Sequence, residues 1–201
     1  MEFKTIDGID RDFLMQAAQL HRESLGYRSF ITLFGTQFLY RIYETILIEQ
    51  LGFLVIAHES NRLKGFVFGC ADSSQLNRVI FKRFYVFVPL VLGAFCKNPG
   101  ILKNLWETLF YSQREGEGIK PEMVIIAVVE PERSKGLGSQ LVQQLETEFK
   151  KRSIRKYKVT VHQDMPESNR FYQKNGMQWQ RHFSLYGHVW NVYSKDIEGS
   201  L

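Results

Sequence analysis

The 201-residue chain predicts a single α/β domain over residues 1–201, an α+β sandwich with helices packed on a mixed sheet. Three observations predict it. "MVIIAVV" (123–129) is a continuous β-branched run of the kind buried on both faces of a sheet. "SQLVQQLETEFKKR" (139–152) follows, with Leu141, Leu145 and Phe149 as a helical stripe and its basic residues at the end where the helix dipole favours them. After it, "YKVTVHQ" (157–163) reads as a strand and "ESNRFYQKNG" (167–176) as a short helix stopped by Asn-Gly. "QWQRHFSLYGHVWNVYSKDI" (178–197) then reads as a hairpin turning near Tyr186 and Gly187.

The N-terminal half supports this order. "DRDFLMQAAQLHRESLG" (10–26) starts at a capping Asp and ends at a Gly, which predicts a helix. "SFITLFGTQFLYRIYETILIEQ" (29–50) predicts a second, with Phe34, Phe38, Ile42 and Ile46 four apart on one face. In "FLVIAHESNRLKGFVFGCADS" (53–73) two apolar runs flank a polar turn, a hairpin signature. Residues 74–120 are less regular and read as an insertion. Its uncharged run from Phe84 to Cys96 is interrupted by Pro89 and falls short of the roughly 20 residues that span a bilayer. Buried-core or homodimer-interface helices, a substrate-covering lid, and a membrane-surface helix using Lys82, Arg83, Lys97 and Lys103 are its three readings.

Composition narrows the classes. A hydrophobic content of 44% provides for a sizeable core, and two distant cysteines, Cys70 and Cys96, show neither a disulfide framework nor metal spacing, so no metal is expected. The N-terminal residues lack a signal core, which predicts a cytoplasmic location. A net charge of +5 suits a nucleic-acid binder and a handler of phosphorylated small molecules equally well. The one dense basic run, "KKRSIRKYK" (150–158), reads more simply as a solvated helix end, so no nucleic-acid partner is expected.

Between the strand at 123–129 and the helix at 139–152 lies "VVEPERSKGLGSQLV" (128–142), overlapping both. A helix N-terminus presents unpaired N–H groups and a partial positive charge, a ready anion site. Gly136 and Gly138 remove side chains that would hold a phosphate away, while Arg133 and Lys135 add charged donors, so the stretch reads as a pyrophosphate cradle. An ordinary strand-to-helix turn is the competing reading. A Walker loop is excluded because Ser139-Gln140 follows Gly138, and a GxGxxG dinucleotide loop because position 141 is Leu. What remains is Arg-x-x-Gly-x-Gly, from Arg133 to Gly138.

That pattern resembles the acetyl-CoA signature of the GNAT N-acetyltransferase superfamily. "ESNRFYQKNGM" is similar to the family's second signature, one strand downstream, and together the two cover residues 123–180. The resemblance implies a central, mostly antiparallel sheet and direct transfer of an acetyl group from acetyl-CoA to an amine, without metal. It places the pyrophosphate on Arg133, Ser134, Lys135, Gly136, Leu137, Gly138 and Ser139, and the pantetheine arm along the backbone of Val128 and Val129. It makes Tyr172 the acid facing the leaving thiolate; a packed core aromatic is its other reading, with Phe171 the more natural core residue. Three departures from the family pattern stand out. Glu130 occupies a frequent proline position with Pro131 after it, Ser134 replaces a frequent glycine, and Met165 stands where an asparagine is common.

An attacking ammonium must lose a proton, and Glu130 at the strand end is the candidate base, with a surface glutamate as the bland alternative. His21, Glu23 and His162 are weaker candidates. Family members build the acceptor pocket from the first two helices and the last hairpin. Here those parts carry Tyr27, Arg28, Phe30, Phe34, Arg41, Trp179, Arg181, His182, Tyr186 and Trp190. This set points to a small-molecule amine, an amino sugar or nucleotide-linked amino sugar, in preference to a polyamine. A protein or amino-acid acceptor and a non-catalytic acyl-CoA-binding module are the alternatives.

Overall fold

A computed structural model describes residues 1–26, 30–97, 118–185 and 187–197. Seven strands form one sheet in the order β1-β2-β3-β4-β5-β7-β6. They are β1 (Glu2–Ile6), β2 (Gly52–Glu59), β3 (Arg62–Cys70), β4 (Glu122–Val128), β5 (Lys156–His162), β6 (Gln178–Leu185) and β7 (His188–Asp196). Every neighbouring pair is antiparallel except β4 and β5, which run parallel. Parallel neighbours need a crossover, and the helix α5 (Leu137–Lys151) supplies it.

The sheet is buried on both sides at β2 and β3, which explains their continuous apolar runs, whereas the equally apolar β4 leaves Val124 exposed on its other face. In β2, Leu54 and Ile56 enter the core under α1 (Arg11–Leu25) and α2 (Thr36–Ile48). Their neighbours Phe53, Val55 and Ala57 enter the opposite core with Leu141, Leu145 and Phe149 of α5. In β3, Phe66 and Phe68 alternate with Val67 in the same way. The β2–β3 turn places Ser60 and Asn61 at φ of 47° and 62°, the left-handed pair that a two-residue hairpin requires.

Three expectations change. The second apolar segment is broken by Gly35 at φ 90°, so a 3-10 turn (Phe30–Phe34) precedes α2. Its stripe also serves two cores. A step of four residues overshoots one helical turn by about 40°, so Phe38 and Ile46 diverge. Phe34 and Phe38 join Phe87 and Val91 in a third cluster, while Ile46 joins the cluster under α1. Finally, β1 was not expected: its Glu2 and Lys4 hide the strand pattern, yet it pairs with β2 from Glu2↔His58 to Ile6↔Leu54.

The insertion begins with α3 (Ser73–Lys82) and α4 (Phe84–Lys97), and α4 runs through Pro89 where an interruption was expected. Phe87 and Val91 bury against the 3-10 turn and α2, while Tyr85 and Leu92 are 70% and 57% exposed. Residues 98–117 lie outside the described residues. Among the described residues no helix is long and apolar enough to cross a membrane.

Candidate active site

Strands β4 and β5 share a single register pair, Glu122↔Lys158, reinforced by the Lys158 N–H donating to the Pro121 carbonyl at 2.9 Å. Beyond it they diverge, and a cleft of about 790 Å3 opens between them. Val124 to Val128 line one wall and Thr160 to His162 the other. The cleft extends from the loop before α5 to His21, Leu25 and Ile31 at the end of α1 and the following 3-10 turn. The Val129 N–H donates to the Lys64 carbonyl at 2.9 Å, so Val129 is committed to the β3 side. Antiparallel alternation then turns the backbone groups of Val128 and Ile126 toward the cleft. Of the two valines expected to carry the pantetheine, Val128 therefore faces the opening, although its carbonyl already accepts Arg133 Nε at 3.0 Å.

At one end lies the glycine loop. A short 3-10 turn (Glu130–Glu132) leads to Ser134 at φ 62° and to Gly136, the N-cap of α5, at φ 88°. No side chain caps the helix, which leaves the first-turn amides of Leu137, Gly138 and Ser139 to serve a ligand. Leu137 holds this turn down by burying its side chain in the core with Leu141. Arg133, Ser134, Gly136, Gly138 and Ser139 line the cleft; Lys135 does not, and pairs with Glu132 at 3.5 Å. The two glycines serve different needs. Gly136 supplies the left-handed turn, with nothing near a would-be Cβ, whereas a Cβ at Gly138 would come within 3.1 Å of the Phe171 ring. Gly138 thus lets the loop pack against α6 (Pro166–Lys174).

Helix α6 brings Tyr172, 7% exposed, to the cleft wall, with its ring against Phe171 and Tyr193. Burial raises the phenol above its ordinary range, so it stays protonated at neutral pH. Phe171, expected to be the core residue, is only half-buried and also lines the cleft. Asn169 locks the helix in place. Its Nδ2 donates to the carbonyls of His162 at 3.0 Å and Met165 at 2.7 Å, and its Oδ1 accepts Asn191 Nδ2 at 2.9 Å and Tyr193 Oη at 3.0 Å. Sequence reasoning read Asn169 only as part of a signature; an asparagine in a helix's first turn, where its amide can reach backbone groups, was the available signal. It also missed Arg170 and Lys174, cations one helical turn apart that both line the cleft.

The opposite end holds His21, 4% exposed and bordering the cleft. Its Nδ1 lies 2.7 Å from the Tyr43 hydroxyl, and its Nε2 is buried without a partner among the described residues. Burial lowers the imidazole pKa to about 4, so the ring is neutral at neutral pH.

Several candidates fall elsewhere. Glu130 is exposed and does not line the cleft; Glu132 does. Glu23 is exposed and accepts Gln19 Nε2 at 2.9 Å. Of the expected acceptor-pocket residues that are described, only Trp190 is in the lining. Phe34 is packed into the third cluster, Arg41 pairs with Glu44, Trp179 is exposed, and Arg181 and His182 lie exposed on β6. Tyr27, Arg28 and Tyr186 lie outside the described residues, as does the side chain of Phe30. His162, Asp164 and His188 bring three ligating atoms within 4.8 Å of one another, although His162 Nδ1 already accepts the Asp164 N–H at 3.3 Å. In the basic run, Lys151 and Arg152 pair with Glu148, and Lys158 lies 3.6 Å from Glu122.

The pattern of the Acetyltransferase (GNAT) family matches residues 17–177. No curated protein matches the sequence. Solved structures share the fold at low identity. An aminoglycoside 6'-N-acetyltransferase complexed with coenzyme A is 13% identical over 100% of this chain and 99% of that one, with a TM-score of 0.62. A ribosomal-protein-alanine N-acetyltransferase from Brucella melitensis is 10% identical over 98% and 99%, with a TM-score of 0.62. PaiA N-acetyltransferase from Thermoplasma acidophilum, in complex with coenzyme A, is 14% identical over 98% and 99%, with a TM-score of 0.61. The family pattern spans most of the chain and contains both the glycine loop and the helix of Tyr172, so the chain belongs to the GNAT acetyltransferase family.

Proposed function

We propose that the protein moves an acetyl group from acetyl-CoA to a primary amine of a small molecule. The observation that carries this reading is the continuous cleft itself. A loop of free amides and cations, an unpaired strand edge, a buried tyrosine, and Leu25 and Ile31 beside His21 all line this one cleft. The residues fit the co-substrate. The amides of Leu137 to Ser139, Ser134, Arg133 and the newly found Arg170 and Lys174 suit a pyrophosphate. The Val128 and Ile126 edge suits the amide-bearing pantetheine arm, taken up as an added strand.

In the reaction the amine nitrogen bonds to the thioester carbon, the C–S bond breaks, and the proton that the nitrogen sheds on becoming an amide passes to the departing thiolate. A backbone amide at the end of β4 would polarise the carbonyl, an oxyanion-hole role. Tyr172 would meet the sulfur. With ordinary values near 10 for tyrosine and 8.5 for a thiol, full transfer is uphill by roughly 2 kcal/mol, and burial of Tyr172 adds to that. Tyr172 therefore stabilises the thiolate as a hydrogen-bond donor. Glu130, outside the lining, would take the ammonium proton through water. Trp190, the one described member of the aromatic and basic set in the cleft, is the residue that supports an amino sugar as the acceptor.

A free-thiol release assay with acetyl-CoA against amino sugars, amino alcohols, amino acids, diamines and peptides tests the proposal. Release with at least one small amine, slowed roughly ten- to a hundredfold in Tyr172→Phe, is expected. Tight coenzyme A binding by calorimetry with no release for any amine would overturn catalysis.

A further inference from the structure

The end of the cleft away from the glycine loop holds a polar group that the transfer chemistry above does not use. His21 lies on the core face of α1 with Leu14, Ala17 and Ala18, where an apolar residue would ordinarily stand. Its Nδ1 is paired with the Tyr43 hydroxyl of α2 at 2.7 Å, and Nε2 of the same cleft-bordering ring is buried with no partner among the described residues. Leaving a buried polar atom unpaired is costly, so such an atom on a ring that borders a ligand cleft calls for explanation.

Hydrogen-bond accounting decides which kind of group Nε2 is. Tyr43 is fully buried, and His21 is the one hydrogen-bond partner of its hydroxyl among the described residues. If the Tyr43 hydroxyl donates to Nδ1, the imidazole proton must sit on Nε2, and one donor is left over. If instead Nδ1 donates to Tyr43, the phenolic hydrogen and the Nε2 lone pair are both left over. The first arrangement leaves fewer buried groups unpaired and fixes the Nε2–H tautomer. A base needs the lone pair there, so this assignment removes His21 from the list of bases.

We propose that the His21 Nε2–H, oriented by Tyr43, is a hydrogen-bond donor for a neutral oxygen of the acceptor amine, a hydroxyl or a carbonyl. The inference rests on the acetyl-transfer reading for its substrate. Leu25 and Ile31, which line the cleft beside His21, are apolar and bring no cation. A carboxylate there would lose its water and meet no counter-charge beside His21 among the described residues of the lining, whereas a neutral oxygen needs only the one donor. An amine without oxygen would leave the donor unpaired and be discriminated against.

Two experiments test this. The first is the ring-nitrogen NMR signature of His21 in the 15N-histidine-labelled protein, read against His21→Gln for assignment. Protonated Nε2 and bare Nδ1 are expected; protonated Nδ1 overturns the proposal, whether or not the protein is an enzyme. The second compares thiol release for amine pairs that match in size and differ only in a hydroxyl or amide oxygen. Wild type is expected to prefer the oxygen-bearing member by about tenfold in kcat/KM, the worth of one hydrogen bond whose loss strands a buried donor. His21→Met should bring the ratio close to one, and Tyr43→Phe, which keeps the histidine but frees its tautomer, should lower it in part. Melting temperature and coenzyme A affinity of each variant establish that it is folded. A ratio near one in the wild type, or an equal loss for both members of each pair in both variants, overturns the proposal. If no amine releases thiol although coenzyme A binds, the transfer reading falls, and the NMR result still decides the tautomer.

Discussion

Lowering the pH should weaken this fold through one residue more than through any other neutral group described. The folded imidazole of His21 has its pKa lowered to about 4 by burial, against the ordinary 6.5 that it regains on unfolding. Between those values the unfolded chain binds the proton that the folded one refuses, so stability rises with pH across this window. The penalty is absent above about pH 7, grows as pH falls through 6.5, and levels off below 4. At about 1.36 kcal/mol per pKa unit it reaches roughly 2 kcal/mol at pH 5 and roughly 3 kcal/mol at pH 4. That is a large share of a typical folding free energy of about 5–15 kcal/mol. Tyr43 cannot offset it, because its own buried phenol is held neutral. Asp10, Glu44, Asp72 and Glu148, whose pKa values are lowered, add acid sensitivity of their own, but equally in a variant. The measurement is therefore urea unfolding of wild type and His21→Gln at pH 7.5 and pH 5. The gap between the two midpoints should change by about 1 M urea in favour of the variant at the lower pH, for a slope near 2 kcal/mol per molar. A gap that does not change with pH would refute the burial argument.

Four further outcomes follow. Gly136→Ala forces a side chain into φ 88° and should cost about 1–2 kcal/mol in stability, seen as a lower melting temperature that coenzyme A only partly restores. Gly138→Ala pushes on Phe171 and should weaken coenzyme A binding; pairing it with Phe171→Leu should recover part of the loss in a calorimetric double-mutant cycle. Tyr172→Phe should lower kcat by roughly ten- to a hundredfold, the worth of a hydrogen bond to a charged atom, with little change in coenzyme A affinity. Asn169→Ala strands its partners on β5 and β7 and should cost about 1–3 kcal/mol in urea unfolding.

Strand-helix-strand order around the glycine loop was legible because β4 is a continuous β-branched run and α5 carries a helical period over several turns. The loop's role was legible because glycine spacing reports backbone constraints directly, although the sequence could not separate the turn at Gly136 from the packing at Gly138. Features that depend on where two distant segments meet were hidden. His21 and Tyr43 lie 22 positions apart on different helices, and only the placement of His21 on an apolar stripe hinted at burial. The acceptor residues were chosen for chemical type within the right elements. Type does not say which way a side chain faces, and five of the six described ones face a core or solvent. β1 was missed because an edge strand with two exposed charges has no clean alternation.

The divergence of β4 from β5 bears on cohesion as well as on binding. Across this seam the sheet consists of two leaves, β1 to β4 and β5 to β7, hinged at Glu122 and Lys158 and bridged by α5. A pantetheine arm on the Val128 edge would act as mortar between the leaves. At a hundred times its dissociation constant, a ligand that binds only the folded form adds about 2.7 kcal/mol of stability. A cell's pool of acetyl-CoA would then govern how long each molecule survives proteolysis as well as how fast it turns over.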